Sequence, residues 1–259
     1  MGIILSIRQR NLMIFDEKYY EELEGDGDTD YEKYLNTKML LSAQKRYKAL
    51  CNHDELMFQI VHQVEELWMK LIGYTVADVI QAMETKNTLK VAYFFKRIHA
   101  AQRLMISQME LLDIMSPHDY QEIRLNLGNG SGIESPGFRN MKRVPKLFWE
   151  AFVAHYLECD VGNIDLIYNK NYTHDERYVV AECLIEFDQF FQLFMQRHFM
   201  LVARSIGIDA NSLKGRTNDY LVKGTQYKCF PELWAIRGKM TNEWSAVNGV
   251  VRESISHGN

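Results

Sequence analysis

The chain has 259 residues, of which 47% are hydrophobic, so it can bury a substantial core within one domain. Its formal net charge of −4 offers no basic surface of the kind that binds nucleic acid. The four cysteines are dispersed and form no CxxC pair, so we expect neither a disulfide scaffold nor a cysteine-type zinc site. A reducing cytoplasm fits this usage, and no apolar run is long enough to cross a membrane.

Apolar residues recur at helical spacing along most of the chain. From Leu56 to Ile80 they form a broad stripe that repeats every 3.6 residues, which predicts a largely buried helix. The same spacing continues from Leu89 to Met115, after which Ser116 and Pro117 end one helix and begin another. A third long helix is predicted from Arg177 to Ile206, closed by Gly207.

The remaining segments show no strand alternation with turn signals, so the sequence predicts an all-α fold. We expect one domain over residues 1–259, with residues 1–30 as a flexible N-terminal segment. The glycine-rich stretch 128–132 and the polar stretch 209–224 are predicted to be loops. Long loops inside a compact helical domain are often functional.

One histidine lies within an aromatic helix face near the end of the third long helix. His198 shares this face with six apolar residues: Phe187, Phe190, Phe191, Phe194, Leu201 and Val202. A lone histidine on an apolar face is usually a core residue. It is also the nitrogen donor that a haem iron needs inside a dry, aromatic pocket. Periodicity alone leaves both readings open, although a tetrahedral zinc site is less natural because no other ligand recurs nearby.

Two further pairs of residues stand one helical turn apart. Phe58 and His62 share one side of the first long helix. Tyr120 and Arg124 form a similar pair just after the helix start at Pro117. The arginine fork could bind a ligand carboxylate, or it could form an ordinary ion pair between helices.

Several segments together resemble the tryptophan 2,3-dioxygenase family, a branch of the haem-dependent aromatic oxygenases. The matching segments follow family order: YEKYLNTKMLLSAQ (31–44), HDELMFQIVHQVEELWMKLI (53–72), MSPHDYQEIRLNLGNGSG (115–132), QRHFMLVARSIG (196–207) and CFPELWAIR (229–237). The resemblance implies a haem b cofactor in a pocket between long helices, and a homo-oligomer that is usually a tetramer.

The resemblance also implies roles for single residues around the haem and the indole. His198 would be the axial ligand of the iron. His62 would face the indole N–H, and Phe58 would pack against the indole ring. Ser131 and Gly132 would lie in a loop against the haem and the oxygen site.

Other residues would hold the amino-acid part of the substrate or cover the site. Arg124 would bind the substrate carboxylate with the help of Tyr120. Ser212 occupies the position of the family's threonine that meets the substrate ammonium, although the surrounding GTGGS-type loop is replaced by NSLKGRT. Three residues of the N-terminal segment would cover the active site of a neighbouring chain: Tyr31, Tyr34 and Leu35.

The implied reaction is cleavage of the indole C2–C3 bond of L-tryptophan, or of a close indole analogue, by O2, giving N-formylkynurenine. The changed loop keeps an alternative open: a haem-dependent monooxygenase acting on tyrosine or a modified tryptophan. A non-catalytic haem-binding or gas-sensing protein is a third possibility. It would not need Arg124, Tyr120 and His62 together.

Overall fold

The computed structural model describes residues 17–128, 130–168, 174–208 and 219–243. Within these ranges the regular secondary structure is helical and no strand occurs, so the predicted all-α class is confirmed. The α-helices are α1 (Glu17–Glu24), α2 (Asp30–Leu35), α3 (Thr37–Leu41), α4 (Glu55–Glu84), α5 (Thr88–Gln108), α6 (Glu110–Asp113), α7 (Pro117–Asn126), α8 (Pro136–Met141), α9 (Val144–Tyr156), α10 (Glu176–Ile206), α11 (Asp219–Thr225) and α12 (Pro231–Glu243). Short 3₁₀ turns cover Tyr47–Ala49, Gly132–Glu134 and Val161–Leu166.

The described residues group into two compact units. The first contains residues 17–60 together with His118–Leu127, and the second contains Val61–Pro117 and the described chain from Gly128 onward. The assignment of residues 1–259 to a single domain stays a prediction.

The first unit contains short N-terminal helices and the starts of two longer ones. Part of the segment expected to be flexible is helical, because α1 packs against α3 and the Tyr20 ring stacks on Tyr47 at 4.5 Å. Helix α2 begins at a capping box in which the Glu32 amide donates to the Thr29 hydroxyl and the Thr29 amide donates to the Glu32 carboxylate. These contacts give helical structure within residues 17–35, which composition alone predicts to be exposed to solvent.

The second unit holds the hydrophobic core, which is built mainly where α5 packs against α10. Its largest fully buried side chains include Phe95, Phe148, Phe152, Phe187 and Phe230. The Phe148 ring lies 5.0 Å from Phe95 and 5.5 Å from Phe187, in tilted and edge-on arrangements that aromatic rings prefer. Helix α9 therefore packs into the same core as α5 and α10.

The predicted long helices are confirmed, with small changes at their ends. Helix α10 ends at Gly207, whose φ of +88° is a conformation that side chains disfavour. The stretch predicted to be helical from Leu89 to Met115 is divided at Met109, a fully buried residue between α5 and α6.

The predicted loop 209–224 differs from the structure in its last part. Residues 209–218 lie outside the described residues, but Asp219–Thr225 forms α11, which packs against α10. This short helix has too few residues to show a clear period, and tertiary contact with α10 stabilises it.

In the described part of the chain, no helix is long and apolar enough to span a membrane.

Candidate functional site

The predicted substrate residues of the first unit lie on α4 and α7. The rings of Phe58 and Tyr120 are 6.2 Å apart and tilted by 47°. Burial raises the pKa of Tyr120, and the nearby positive charge of Arg124 opposes this shift. Tyr120 therefore stays a neutral phenol that can donate a hydrogen bond beside an aromatic ring.

Arg124 follows Tyr120 by one turn on α7, as predicted. Its side chain is partly buried, and Nη1 lies 3.5 Å from the Gln121 side-chain oxygen, at the long limit of a hydrogen bond. Ile123, between them on the helix, is 1% exposed and anchors the buried side of α7. The first unit thus places an aromatic pair and a guanidinium close together, a combination that suits an aromatic amino acid.

His198 lies on α10 in the second unit, among the apolar residues predicted from the sequence. Its ring is nearly parallel to that of Phe194, one turn earlier, at 6.4 Å. Burial lowers the pKa of His198 to about 4, and the charge of His62 acts in the same direction. An imidazole that is neutral at physiological pH has a nitrogen lone pair, which is the form that binds iron.

His62 is exposed and lies on the second turn of α4. Since its charge lowers the pKa of His198, the fold brings the two histidines within electrostatic range of each other. Their separation in sequence gave no sign of this proximity.

An apolar cavity lies near the middle of α10. Its lining is aromatic and sulfur-rich: Met69, Gln102, Met105, Phe138, Met141, Phe190, Phe191 and Phe194. Phe138, on α8, stacks on Phe191 and contacts Phe194, each at 6.4 Å. The cavity measures only about 10 Å³, so it is a packing gap in the core of the second unit and is too small to hold a cofactor.

The segment that carries Ser131 is held to α4 by a glutamate that the sequence reasoning missed. Glu66 accepts hydrogen bonds from the Ser135 hydroxyl and from the Gly137 amide, the latter at 2.9 Å. A side chain at Gly137 would collide with Glu66 and Met69, so glycine is required for this close approach. The available signal was the EELW run, in which Glu66 follows His62 by one turn.

Ser131 and Gly132 begin the short 3₁₀ turn just before this anchor. The Ser131 amide donates to the Glu134 carboxylate at 3.1 Å, and Ser131 is partly buried. A side chain at Gly132 would meet no atom within 4 Å, so the space beside this backbone is open.

The three predicted N-terminal residues lie on the surface of the first unit. Tyr31 is 70% exposed, Tyr34 90% and Leu35 46%, and no residue of α2 is buried. Ser212, the predicted ammonium contact, lies outside the described residues.

The donor set of the second unit fits a haem. A histidine inside a phenylalanine-rich helix face offers the axial nitrogen and the aromatic surroundings that haem iron needs. The described residues define an all-α protein with a histidine inside an aromatic helix face.

Comparison with known proteins narrows this class. The sequence profile of the family described as tryptophan 2,3-dioxygenase matches residues 17–144. A tryptophan 2,3-dioxygenase from Myxococcus xanthus is 28% identical over 83% of this chain and 91% of its own length. Relatives of the same name from Rhodococcus jostii and an Arthrobacter species are 27% and 26% identical, covering 80% and 85% of this chain and 90% and 97% of their own. Over these ranges the chain is similar to the tryptophan 2,3-dioxygenase family.

Proposed function

We propose that this protein is a haem-dependent dioxygenase that cleaves the indole C2–C3 bond of L-tryptophan with O2, giving N-formylkynurenine. The observation that carries the proposal is the position of His198 within an aromatic helix face, in a chain similar to this family. The names of the relatives support a dioxygenase. The monooxygenase alternative, which the sequence left open, gains no support from them.

His198 would hold the iron, and Phe194, one turn earlier on α10, would lie beside the porphyrin. Haem b fits better than a covalently attached haem, because the sequence contains no CxxCH motif. When bound, the haem supplies the activation of O2 that amino-acid side chains cannot provide.

The remaining residues would bind and orient the substrate. Arg124 would hold the carboxylate through charge-assisted hydrogen bonds, and Tyr120 would assist by donating its phenolic hydrogen. Phe58 would pack on the indole ring, and His62 would accept a hydrogen bond from the indole N–H. This positioning lowers the entropic cost of bringing the C2–C3 bond to the reacting oxygen.

Loops would complete the site. Ser131 and Gly132 would border the haem and oxygen, in a segment that Glu66 holds to α4. The Ser212 hydroxyl would meet the substrate ammonium.

The protein would act in the cytoplasm as a homo-oligomer, a tetramer as in the usual family member. Tyr31, Tyr34 and Leu35 would cover the site of a neighbouring chain, which fits their exposure on α2. Burying such exposed apolar surface between chains is favourable. A truncation that starts after Ser42 should keep its helical circular dichroism and lose substrate affinity. A truncated protein that is monomeric and fully active would contradict this role.

The reaction is tested by supplying ¹⁸O2 and L-tryptophan to the reduced protein and weighing the product. We expect two labelled atoms in N-formylkynurenine. A hydroxylated product with a single labelled atom, formed as the main species, would refute the dioxygenase proposal.

The iron ligand is tested by His198→Ala, with His155→Ala as a control on α9. We expect the His198 variant to lose haem and its ferric absorption spectrum while keeping helical circular dichroism. The control should retain both. A full haem complement with an unchanged spectrum in the His198 variant would refute the assignment.

The carboxylate contact is tested by Arg124→Met, with the exposed Arg97→Met as a control. Removing a charge-assisted contact of about 2–3 kcal/mol should lower kcat/KM for L-tryptophan roughly a hundredfold, with the haem spectrum intact. The same variant should discriminate little between indole-3-propionate and indole-3-propionamide, which differ only in the carboxylate. Near-normal kinetics with L-tryptophan would contradict the role of Arg124.

A further inference from the structure

Two HD dipeptides meet in the first unit, one just before α4 and one at the start of α7. His53 and Asp54 lie with Asp119 so that one ligand atom from each is within 4.8 Å of the others. His118, Asp119 and Glu122 form a second triad with the same property. Asp119 therefore belongs to both groups of imidazole and carboxylate ligands. Of these residues, only Asp119 is next in sequence to a predicted substrate contact, Tyr120.

In each triad one pair of ligand atoms is spaced much as around a small divalent ion, and the third ligand atom lies within 4.8 Å of both. A tetrahedral zinc ion with bonds of about 2.0–2.1 Å has ligand atoms roughly 3.3–3.4 Å apart. Nδ1 of His118 lies 3.6 Å from a carboxylate oxygen of Asp119, and Nε2 of His53 lies 3.3 Å from one of Asp54. Shifts of a few tenths of an ångström would bring the His118 pair to bonding geometry.

The triad on α7 is the better-organised of the two. His118 and Glu122 are one turn apart and so share a face of the helix, as two ligands of one ion must. The buried Asn52 donates to the Glu122 carboxylate at 3.0 Å and to the Asp119 carbonyl at 2.9 Å. Its side-chain oxygen accepts from the Asp54 amide at 3.1 Å. Asn52 thus orients Glu122 and ties the two HD segments together, which is how outer partners position metal ligands.

Charge and access also favour a cation. Three carboxylates, those of Asp54, Asp119 and Glu122, outweigh the partial positive charge of about one half that the start of α7 carries. The imidazole of His118 is 81% exposed, whereas the Asp119 side chain is 21% exposed. An ion could enter from solvent, and water could complete its coordination shell.

We propose that His118, Asp119 and Glu122 bind one divalent transition-metal ion per chain, with the chemistry of zinc. Imidazole with carboxylates favours zinc over magnesium or calcium, which prefer oxygen ligands alone. The ion would stiffen the start of α7, the helix that also carries Tyr120 and Arg124.

The test is zinc binding to the untagged, haem-saturated protein, in which the proposed iron ligand His198 would be occupied. After treatment with a chelator and its removal, zinc chloride is titrated in competition with a chromophoric zinc indicator. We expect one zinc per chain, and a higher Tm in the presence of zinc. A wild-type protein that binds no zinc under these conditions would overturn the proposal.

Two variants test whether His118 and Glu122 are metal ligands. His118→Ala removes the exposed imidazole, and Glu122→Gln removes a charged ligand while leaving an oxygen to accept from Asn52. Loss of an outer partner alone typically weakens metal affinity about 10–100-fold, so each variant should lose at least roughly tenfold. The exposed His174→Ala, in the second unit, should bind as the wild type does. Zinc affinity unchanged in both His118→Ala and Glu122→Gln would refute the site.

Discussion

Replacing Asp188 should lower the free energy of unfolding more than any substitution at the surface. Its carboxylate is completely buried, and both of its oxygens accept hydrogen bonds. One oxygen accepts from the Cys229 amide at 2.9 Å, from the Phe230 amide at 3.2 Å and from the Trp234 indole N–H at 2.8 Å. The other oxygen accepts from the side-chain amide of Gln192 at 3.0 Å. Asp188 therefore joins the middle of α10 to the chain that leads into α12.

The expected magnitude follows from the donors that each substitution leaves. Asp188→Ala strands two backbone N–H groups and an indole N–H in the core, at a cost of about 3–5 kcal/mol in the free energy of unfolding. Asp188→Asn keeps an oxygen for these donors but loses the charge near the start of α12. It should therefore cost about 1–2 kcal/mol. Typical domains have a total stability of about 5–15 kcal/mol, so the alanine variant loses a large share.

Urea unfolding of the haem-saturated protein, followed by circular dichroism, measures these differences, provided that the variants share one m-value. The matched control is Asp165→Asn. The Asp165 carboxylate pairs with Lys239 at 2.5 Å, but both side chains are about half exposed, so the loss should be about 0–1 kcal/mol. A loss below about 1 kcal/mol in Asp188→Ala would show that the network does not hold α12 as described.

Three smaller perturbations test other parts of the structure. Burial, aided by the charge of Glu66, raises the pKa of Glu65 from 4.5 to about 7. Because the folded protein binds this proton more tightly than the unfolded chain does, the contribution of Glu65 to stability is complete below pH 4.5 and is lost as the pH rises through 7. Glu65→Gln should therefore stabilise the protein by roughly 1–3 kcal/mol at pH 8 and by almost nothing at pH 4, as measured by urea unfolding at both values. Iodoacetamide at neutral pH should label the exposed Cys159 first and leave Cys229 unmodified. Burial and, after it, the charge of Asp188 raise the pKa of the Cys229 thiol, so little reactive thiolate forms there. A Cys229 adduct detected by mass spectrometry in the folded protein would contradict this. Thr29→Ala removes the hydroxyl that caps α2, at a cost of about 1 kcal/mol, and should speed hydrogen exchange of the α2 amides without changing exchange in α5.

The long helices could be predicted because their apolar faces repeat over many turns. The bounds of α4 and α10 extend only a few residues beyond the predicted limits, and Gly207 ends α10 as expected. Short elements could not be read in the same way. Helix α1 depends on contacts such as Tyr20 with Tyr47, and α11 depends on packing against α10, so neither carries its own signal.

The candidate site shows the same limit. Helical spacing paired Tyr120 with Arg124 and placed His198 on an aromatic face, and the structure retains both arrangements. Spacing could not show that Phe58 approaches Tyr120, or that His62 influences His198, because these contacts join distant parts of the chain. Family resemblance supplied their roles, and those roles stay predictions until the variants are measured.

Helix α10 links stability to the proposed haem site, since it carries both Asp188 and His198. Ten residues separate them, which corresponds to about 15 Å along a helix. At that distance Asp188→Asn should leave the haem spectrum of the folded protein unchanged, because the substitution touches no group near His198. The two sites should nevertheless be lost together on heating, since one helix with a continuous buried face, from Val180 to Leu201, unfolds as a cooperative element. Coincident loss of the haem absorbance and of the helical circular dichroism in this variant, at a Tm below that of the wild type, is the expected result. Haem release well before loss of helicity would mean that the two ends of α10 are stabilised independently.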